Sequence, residues 1–274
     1  MAGLGNFASR VVVSVVAVPI LVFIIYQESA LPVWGLAFGA SLIAMYEFFA
    51  MTHDDRTDII VSTLLGGGAV LAFYWLPQSY SATATFLAVF FPVFLYFLFR
   101  FGDIETVASR ACFSVIGILY AGIFFTFMAL IKRDFGPHGA DFIILLLGTA
   151  WLSDTGGYFA GKALGKRKLY AAISPNKTWA GAIGGTIAAG CGAILIRMYL
   201  LPEFSWFDIL FLAASGSVLG QAGDLCESMI KRSRGVKDSG AILPGHGGIL
   251  DRVDAVLFIA PYFYVYITVR GLVA

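Results

Sequence analysis

The sequence predicts an all-α integral membrane protein of about nine spanning helices, and three observations predict it. Only 13% of its residues are charged, about half the share found in a soluble domain. Hydrophobic residues make up 59% of the chain, with a mean hydropathy of +0.85. They arrive in long runs rather than at the spacing of half-buried helices or strands, so lipid is the solvent these segments are built for.

The runs follow one another along the chain. Val11 to Tyr26 carries no charge. Arg10 precedes it as in a secretion signal, but no clean small-residue cleavage site is evident and more runs follow, so it reads as a retained helix. Charge-poor runs then lie at roughly 31–52, 59–76, 84–99, 111–131, 142–161, 178–200, 206–230 and 253–269. Several approach the 20 or so residues a crossing requires, and the shorter ones call for tilt or a thinned bilayer. With the N-terminus in the cytoplasm, 14 of the 18 Lys and Arg residues fall on the cytoplasmic side and 4 outside. That satisfies the positive-inside rule and places the C-terminus outside.

The chain reads as a single membrane domain with two unequal halves. Residues 1–136 form a helical scaffold with short polar turns such as His53–Arg56 and Gly102–Asp103. Residues 137–274 carry two long polar loops, 162–177 and 231–252, both cytoplasmic in this topology. That asymmetry locates the function. Rows of small residues four apart (Gly157, Gly161, Gly165; Gly181, Gly185, Ala189; Gly216, Gly220) suit close packing of helices in lipid. A net charge of +1 gives no argument for nucleic acid. Cys112, Cys191 and Cys226 lie in apolar runs without metal or disulfide spacing, and read as small buried hydrophobes. His53 and His138 receive no role.

Acidic groups inside a spanning helix are costly and point to function. Asp154 lies near the inner end of the sixth run, Asp224 and Glu227 near the inner end of the eighth, and Asp251 and Asp254 open the ninth. At 1.5 Å per residue, Asp224 sits about 10 Å below the cytoplasmic end of its helix. Three helices thus bring acids to a similar depth on one side. Asp224, Ser228 and Lys231 share one helix face at i, i+4 and i+7. Carboxylates meeting beside water suit a hard cation such as Mg²⁺, which takes one or two carboxylates plus phosphate oxygens. The plainer reading pairs Asp224 with Lys231 and Asp251 with Arg252 for topology alone, but leaves the intervening loop unexplained.

That loop, 231–248, combines Lys231, Arg232, Arg234 and Lys237 with five glycines and ends at a helix N-terminus, an arrangement suited to cradling anions. Lys offers a point charge to phosphate and Arg a bidentate grip. The loop 162–177 repeats the recipe, with Lys166–Lys168 and then Ser174 and Lys177 before the next helix. His246, between glycines, reads most simply as a hydrogen-bonding loop residue.

The 27 residues from Ser228 to Asp254, Ser-Met-Ile-Lys-Arg-Ser-Arg-Gly-Val-Lys-Asp-Ser-Gly-Ala-Ile-Leu-Pro-Gly-His-Gly-Gly-Ile-Leu-Asp-Arg-Val-Asp, resemble without a gap the signature of the phosphatidate cytidylyltransferase (CDP-diacylglycerol synthase) family. Ser153-Asp154-Thr-Gly-Gly-Tyr158 and Ser174-Pro-Asn-Lys177-Thr-Trp179 are similar to two further family elements. The family usually has Glu after Lys-Thr-Trp, where this chain has Ala180.

The resemblance implies a bacterial inner-membrane enzyme whose site faces the cytoplasm. It would convert CTP and phosphatidic acid to CDP-diacylglycerol and pyrophosphate, as a Mg²⁺-dependent homodimer. Asp224 and Asp251 would hold one or two Mg²⁺, with a monovalent cation also allowed. Asp224, Asp251, Lys231 and Ser228 would carry the chemistry. Lys231, Lys237 and Arg252 would meet the triphosphate, with Arg232, Asp238, His246, Gly247, Gly248 and Asp254 completing the turn that handles substrate. Ser174 and Lys177 would contact the lipid phosphate or the CTP tail, and Asp154 would help to hold a cation or orient a lysine. The attacking phosphate monoester has a second pKa of about 6, so no strong general base is required. Two competing readings remain: a CTP-dependent enzyme acting on a polyprenyl or phytyl phosphate, and an ion-coupled transporter. The second is disfavoured because no internal repeat is present and the acids gather at one face rather than at the midplane.

Overall fold

The computed structural model describes residues 16–240 and 247–273. His246 therefore lies outside the described residues. The chain folds into helices α1 (Val16–Ile25), α2 (Leu31–Thr52), α3 (Arg56–Trp75), α4 (Gln78–Phe99), α5 (Ile104–Gly117), α6 (Phe124–Asp134), α7 (Gly139–Leu164), α8 (Trp179–Tyr199), α9 (Trp206–Ser233) and α10 (Leu250–Arg270). A short π-helical stretch, Ile118–Ile123, joins α5 to α6 into one span. Among the described residues, eight helical segments are long and apolar enough to cross a membrane. They coincide with the last eight apolar runs of the sequence. α1 is the described part of the first run.

Local chemistry sets the boundaries. Asp55 caps α3 by accepting from the Thr57 and Asp58 amides at 2.6 and 3.4 Å; Asp103 caps α5 through the Glu105 amide at 3.0 Å; Thr178 caps α8 through Gly181 at 3.1 Å. Each satisfies an amide that the first helical turn leaves without a partner. Pro32 sits in the first turn of α2, where its missing N–H costs nothing. α10 ends at Gly271 in the left-handed conformation (φ 56°), which glycine adopts without strain. One departure from expectation lies in the loop 162–177, where Lys168–Tyr170 (β1) and Ser174–Thr178 (β2) pair as a small antiparallel hairpin.

In the most apolar stretch of the span Ile104–Asp134, 72% of the residues are buried, against 22% in α4, so the former lies towards the centre of the bundle and the latter towards its periphery. A fully buried Asp58 on α3 ties the neighbouring helices together: Arg110 donates to it at 2.6 Å and the Tyr96 hydroxyl at 2.8 Å. Burying this carboxylate is tolerable because it is ion-paired and hydrogen-bonded. α7 and α8 approach most intimately at their glycines. A Cβ on Gly181 would stand 2.9 Å from the Gly157 carbonyl oxygen, and one on Gly185 2.6 Å from the Ser153 carbonyl oxygen. The small-residue rows therefore do what their spacing predicts. The cysteines differ from expectation: Cys112 and Cys191 lie on the exposed surface of the bundle and Cys226 is half-buried.

The helices alternate in direction, so the connecting segments collect at two ends. At one end Arg100 reaches Asp55 at 3.2 Å, and Arg234 donates to the carbonyls of Met51 and Thr52 at 3.1 and 2.8 Å. At the other, Asp134 receives Gln78 and Tyr264 at 2.8 Å each, and His138 pairs with Glu203 at 3.0 Å. The hairpin and the loop after α9 lie at the first of these ends, together with the acids.

Candidate active site

Asp154 stands on α7, Lys177 on β2 just before the α8 cap, and Asp224 on α9, about 14 Å from the end of its helix at 1.5 Å per residue. The hairpin folds back over the α7–α8 junction, so Lys177 forms an ion pair with Asp224. These three residues, with Lys162, Asn176 and Gln221, line a cavity of about 480 Å³. A chain of hydroxyls runs behind its wall from Ser153, which lines the cavity. Ser153 and Ser217 are 2.8 Å apart, Thr186 lies 3.2 Å from Ser217, and Gln221 Nε2 donates to Ser217 Oγ at 3.1 Å. Polar groups this deep persist because each has a partner, which also fixes the relative positions of α7, α8 and α9.

A second cavity of about 580 Å³ adjoins the first and shares Leu169, Ala182 and Gln221 with it. Its walls are otherwise mostly apolar: Trp179, Ile183 and Ile187 on α8, Val218 and Leu225 on α9, and Tyr170 on the hairpin. A polar chamber thus shares a wall with an apolar groove along the α8–α9 surface.

Beside the polar chamber lies a buried ionic cluster. Lys231, 8% exposed, places Nζ 2.8 Å from Glu227 and 2.6 Å from Asp251. Asp251 Oδ2 also accepts from the backbone amides of Ser239 at 3.0 Å and Gly248 at 2.9 Å. Its carboxylate therefore joins the start of α10, the end of α9 and the intervening turn. Gly247, at φ 78°, makes the approach to this turn in a conformation suited to glycine. Ser228 Oγ donates to Asp224 Oδ1 at 3.4 Å, so the shared helix face links the two clusters. Asp254 lies within electrostatic reach of Asp224, Glu227 and Asp154.

The expected site residues divide accordingly. Asp154, Lys177 and Asp224 meet in the chamber, and Lys231 and Asp251 meet in the cluster beside it. The simple topological pairing does not occur as written, because Lys177 takes Asp224 and Lys231 takes Asp251. Ser174 is half-buried on β2 opposite Tyr170. Arg232 is exposed and donates to the Val236 carbonyl at 3.1 Å; Lys237 and Asp238 are exposed in the following turn, and Arg252 is exposed in the first turn of α10. Ala180 is half-buried at the start of α8 and brings no acid to the chamber.

Three contributors escape the sequence reading. Gln221 joins the chamber to the groove. Tyr120, in the π-helical stretch, carries a buried hydroxyl with no hydrogen-bond partner among the described residues, within electrostatic reach of Glu227, Asp254 and Asp224. Glu47 on α2 is 3% exposed and accepts from the backbone amides of Ile249 and Leu250 at 3.1 and 2.9 Å. A charged residue within an apolar run was the available signal for Glu47. His53, in the turn after α2, is buried between Thr52 Oγ1 and Ser114 Oγ, at 2.9 and 2.8 Å. Burial first, then the charges of Arg110 and Arg234, bring its pKa down to about 4 against the opposing pull of Asp58.

Comparison with known proteins supplies the family. Phosphatidate cytidylyltransferase of Bacillus subtilis is 32% identical over 272 residues, covering 94% of this chain and 97% of that protein. The enzyme of the same name from Brucella suis is 43% identical over 150 residues, 55% of each chain. That from Staphylococcus haemolyticus is 42% identical over 151 residues, covering 55% of this chain and 56% of its own. The model of the cytidylyltransferase family matches residues 8–270, and with a relative of this similarity along nearly its whole length the chain belongs to that family.

Proposed function

We propose that this membrane protein transfers the cytidylyl group of CTP to phosphatidic acid, forming CDP-diacylglycerol and releasing pyrophosphate in phospholipid biosynthesis. The observation that carries the reading is the pairing of a polar chamber with an apolar groove through a shared wall. Such a site fits a substrate with an anionic head and hydrocarbon tails, and the names of the relatives supply the reaction.

In this reading the lipid phosphate lies in the chamber, with its glycerol and acyl chains directed along Ile183, Ile187 and Val218. One of its oxygens attacks the α-phosphorus of CTP. The new P–O bond forms as the bond between the α-phosphorus and the bridging oxygen breaks, and pyrophosphate leaves with the electron pair. The attacking monoester is already largely ionised near neutral pH, so no side chain must take its proton. The difficulty is repulsion between anions. Lys177 and Lys162 in the chamber oppose it, and fixed cations of this kind stabilise the charge that develops in the transition state. Lys231 holds Asp251 in place.

Asp224 and Asp251 offer hard oxygen donors of the kind a divalent cation takes, while among the described residues no three His, Cys, Asp or Glu form a group that could hold an ion without oxygens from the substrate. Among the described residues, the five carboxylates of Asp154, Asp224, Glu227, Asp251 and Asp254 have two lysines, Lys177 and Lys231, in direct ion pairs with them. Glu227 Oε1 is buried without a hydrogen-bond partner among the described residues. Asp224 and Asp251 would hold Mg²⁺ together with phosphate oxygens of the substrate, with a monovalent cation admissible beside it. When bound, Mg²⁺ supplies charge neutralisation on the triphosphate.

The cytoplasmic orientation of this end, the nine-span count, the inner membrane of a bacterium and a homodimeric state belong to the same proposal. The charge distribution of the loops and the bacterial relatives support the first three, and the family resemblance the last. The test is pyrophosphate release by purified protein in detergent. Release should require both CTP and phosphatidic acid and should be matched by CDP-diacylglycerol. CTP hydrolysis indifferent to the lipid would overturn the reading.

A further inference from the structure

The N-terminal helices contribute a group to the site that its chemistry does not itself require. α10 begins without a side-chain cap from its own Ile249. Instead Glu47, 203 residues away on α2, accepts from the first amides of that helix: Ile249 N at 3.1 Å through Oε1 and Leu250 N at 2.9 Å through Oε2. Oε2 also accepts from Ser239 Oγ at 3.3 Å. The Ser239 amide in turn donates to both oxygens of Asp251, at 3.2 and 3.0 Å. A single residue therefore separates the Glu47 carboxylate from Asp251.

The surrounding backbone is shaped around this carboxylate. A Cβ on Gly240 would stand 2.6 Å from Glu47 Oε1, and one on Gly248 would collide with Ser239 Oγ and Glu47 Oε2. Both glycines close over the acid, which gives each a packing reason to lack a side chain. α2 also holds the other end of the same loop. Arg234, just after α9, donates to the carbonyls of Met51 and Thr52 at the end of α2, one turn from Glu47. Positive charge there complements the helix dipole, as negative charge does at the start of α10.

We propose that Glu47 is a positioning residue for Asp251. By capping α10 from another helix and holding Ser239, it fixes the direction in which the Asp251 carboxylate meets Lys231. A misplaced carboxylate would slow the reaction without weakening the grip on substrate, because Glu47 lines neither chamber nor groove. This inference rests on the proposed function for its kinetic consequence, but its structural content stands apart from any reaction.

The test compares full-length wild type with Glu47→Gln, which keeps size and one acceptor but turns a donor toward amides that themselves donate. Hydrogen–deuterium exchange should rise about tenfold at Ser239 and Gly248–Leu250, the expected effect of losing hydrogen bonds to a charged acceptor, with α3, α6 and α8 unchanged. Turnover should fall about 10- to 100-fold, as for supporting residues one shell from a site, while KM for CTP changes less than about twofold. Glu47→Asp, which restores the charge but not the reach, should recover part of both. Wild-type exchange at those amides overturns the proposal, as does a uniform rise across the bundle, which would make Glu47 a packing residue only. Should the wild-type protein form no CDP-diacylglycerol, the functional reading fails, and the exchange pattern alone decides the role of Glu47.

Discussion

Replacing Lys231 with methionine tests the ionic cluster most severely. Its ammonium stands 2.8 Å from Glu227 and 2.6 Å from Asp251, and the residue is 8% exposed. At an effective dielectric constant of about 20, each pair is worth about 6 kcal/mol of Coulomb attraction. Much of that offsets the desolvation of three charges, so the intact cluster contributes little net stability. Removing only the cation is different. It leaves two carboxylates buried against each other, and breaking a buried pair in this way costs about 3–5 kcal/mol. In detergent, Lys231→Met should lower the thermal midpoint by roughly 10 °C, taking about 2–4 °C per kcal/mol for a chain of this size, and turnover should be lost. Glu227→Gln removes one of the two carboxylates, so the double variant should regain about 1–2 kcal/mol without regaining activity. Single and double variants that add within about 0.5 kcal/mol would show that the lysine does not bridge these acids in solution.

Asp224→Asn and Asp251→Asn should each reduce turnover at least about 100-fold, with the protein still monodisperse by size-exclusion chromatography; wild-type rates in either would remove the assignment of these carboxylates to Mg²⁺. Chelation with EDTA should stop the reaction and added Mg²⁺ restore it, which a rate assay reads directly. Ile183→Trp should fill the groove and slow reaction with long-chain phosphatidic acid about tenfold while sparing a short-chain substrate, and equal loss on both would detach the groove from the acyl chains. His53 is held neutral in the fold to about pH 4. As pH falls from about 6.5, the unfolded chain takes up a proton that the folded chain refuses, so stability should decline by about 3 kcal/mol by pH 4, with no contribution above pH 6.5. His53→Gln should flatten that part of the melting-temperature profile.

Much of this arrangement can be read from the chain because lipid imposes a coarse rule. A helix that crosses hydrocarbon must be apolar for about 20 residues, so the runs from 31–52 to 253–269 announce α2 to α10 directly. The gathering of Asp154, Asp224 and Asp251 at one end is equally legible, since an acid near a helix end has a depth fixed by counting residues. What counting does not reveal is which cation faces which acid. Lys231 shares a helix face with Asp224 in projection, yet its long side chain reaches sideways to Asp251 on α10. Asp224 is paired instead by Lys177, carried in by the hairpin. That hairpin is seated against α8, a contact that no local pattern announces. Glu47 is hard to single out because one acid does not disturb the hydropathy of a long run, although a charge in that position is itself a signal. Its partner amides lie about 200 residues away, and no local pattern links them.

The most direct measurement follows the label in CTP. Purified protein supplied with phosphatidic acid should move an α-phosphate label into lipid and a γ-phosphate label into pyrophosphate, in equal amounts. A γ-label appearing in lipid would mean phosphoryl rather than cytidylyl transfer, and would contradict the account at its centre.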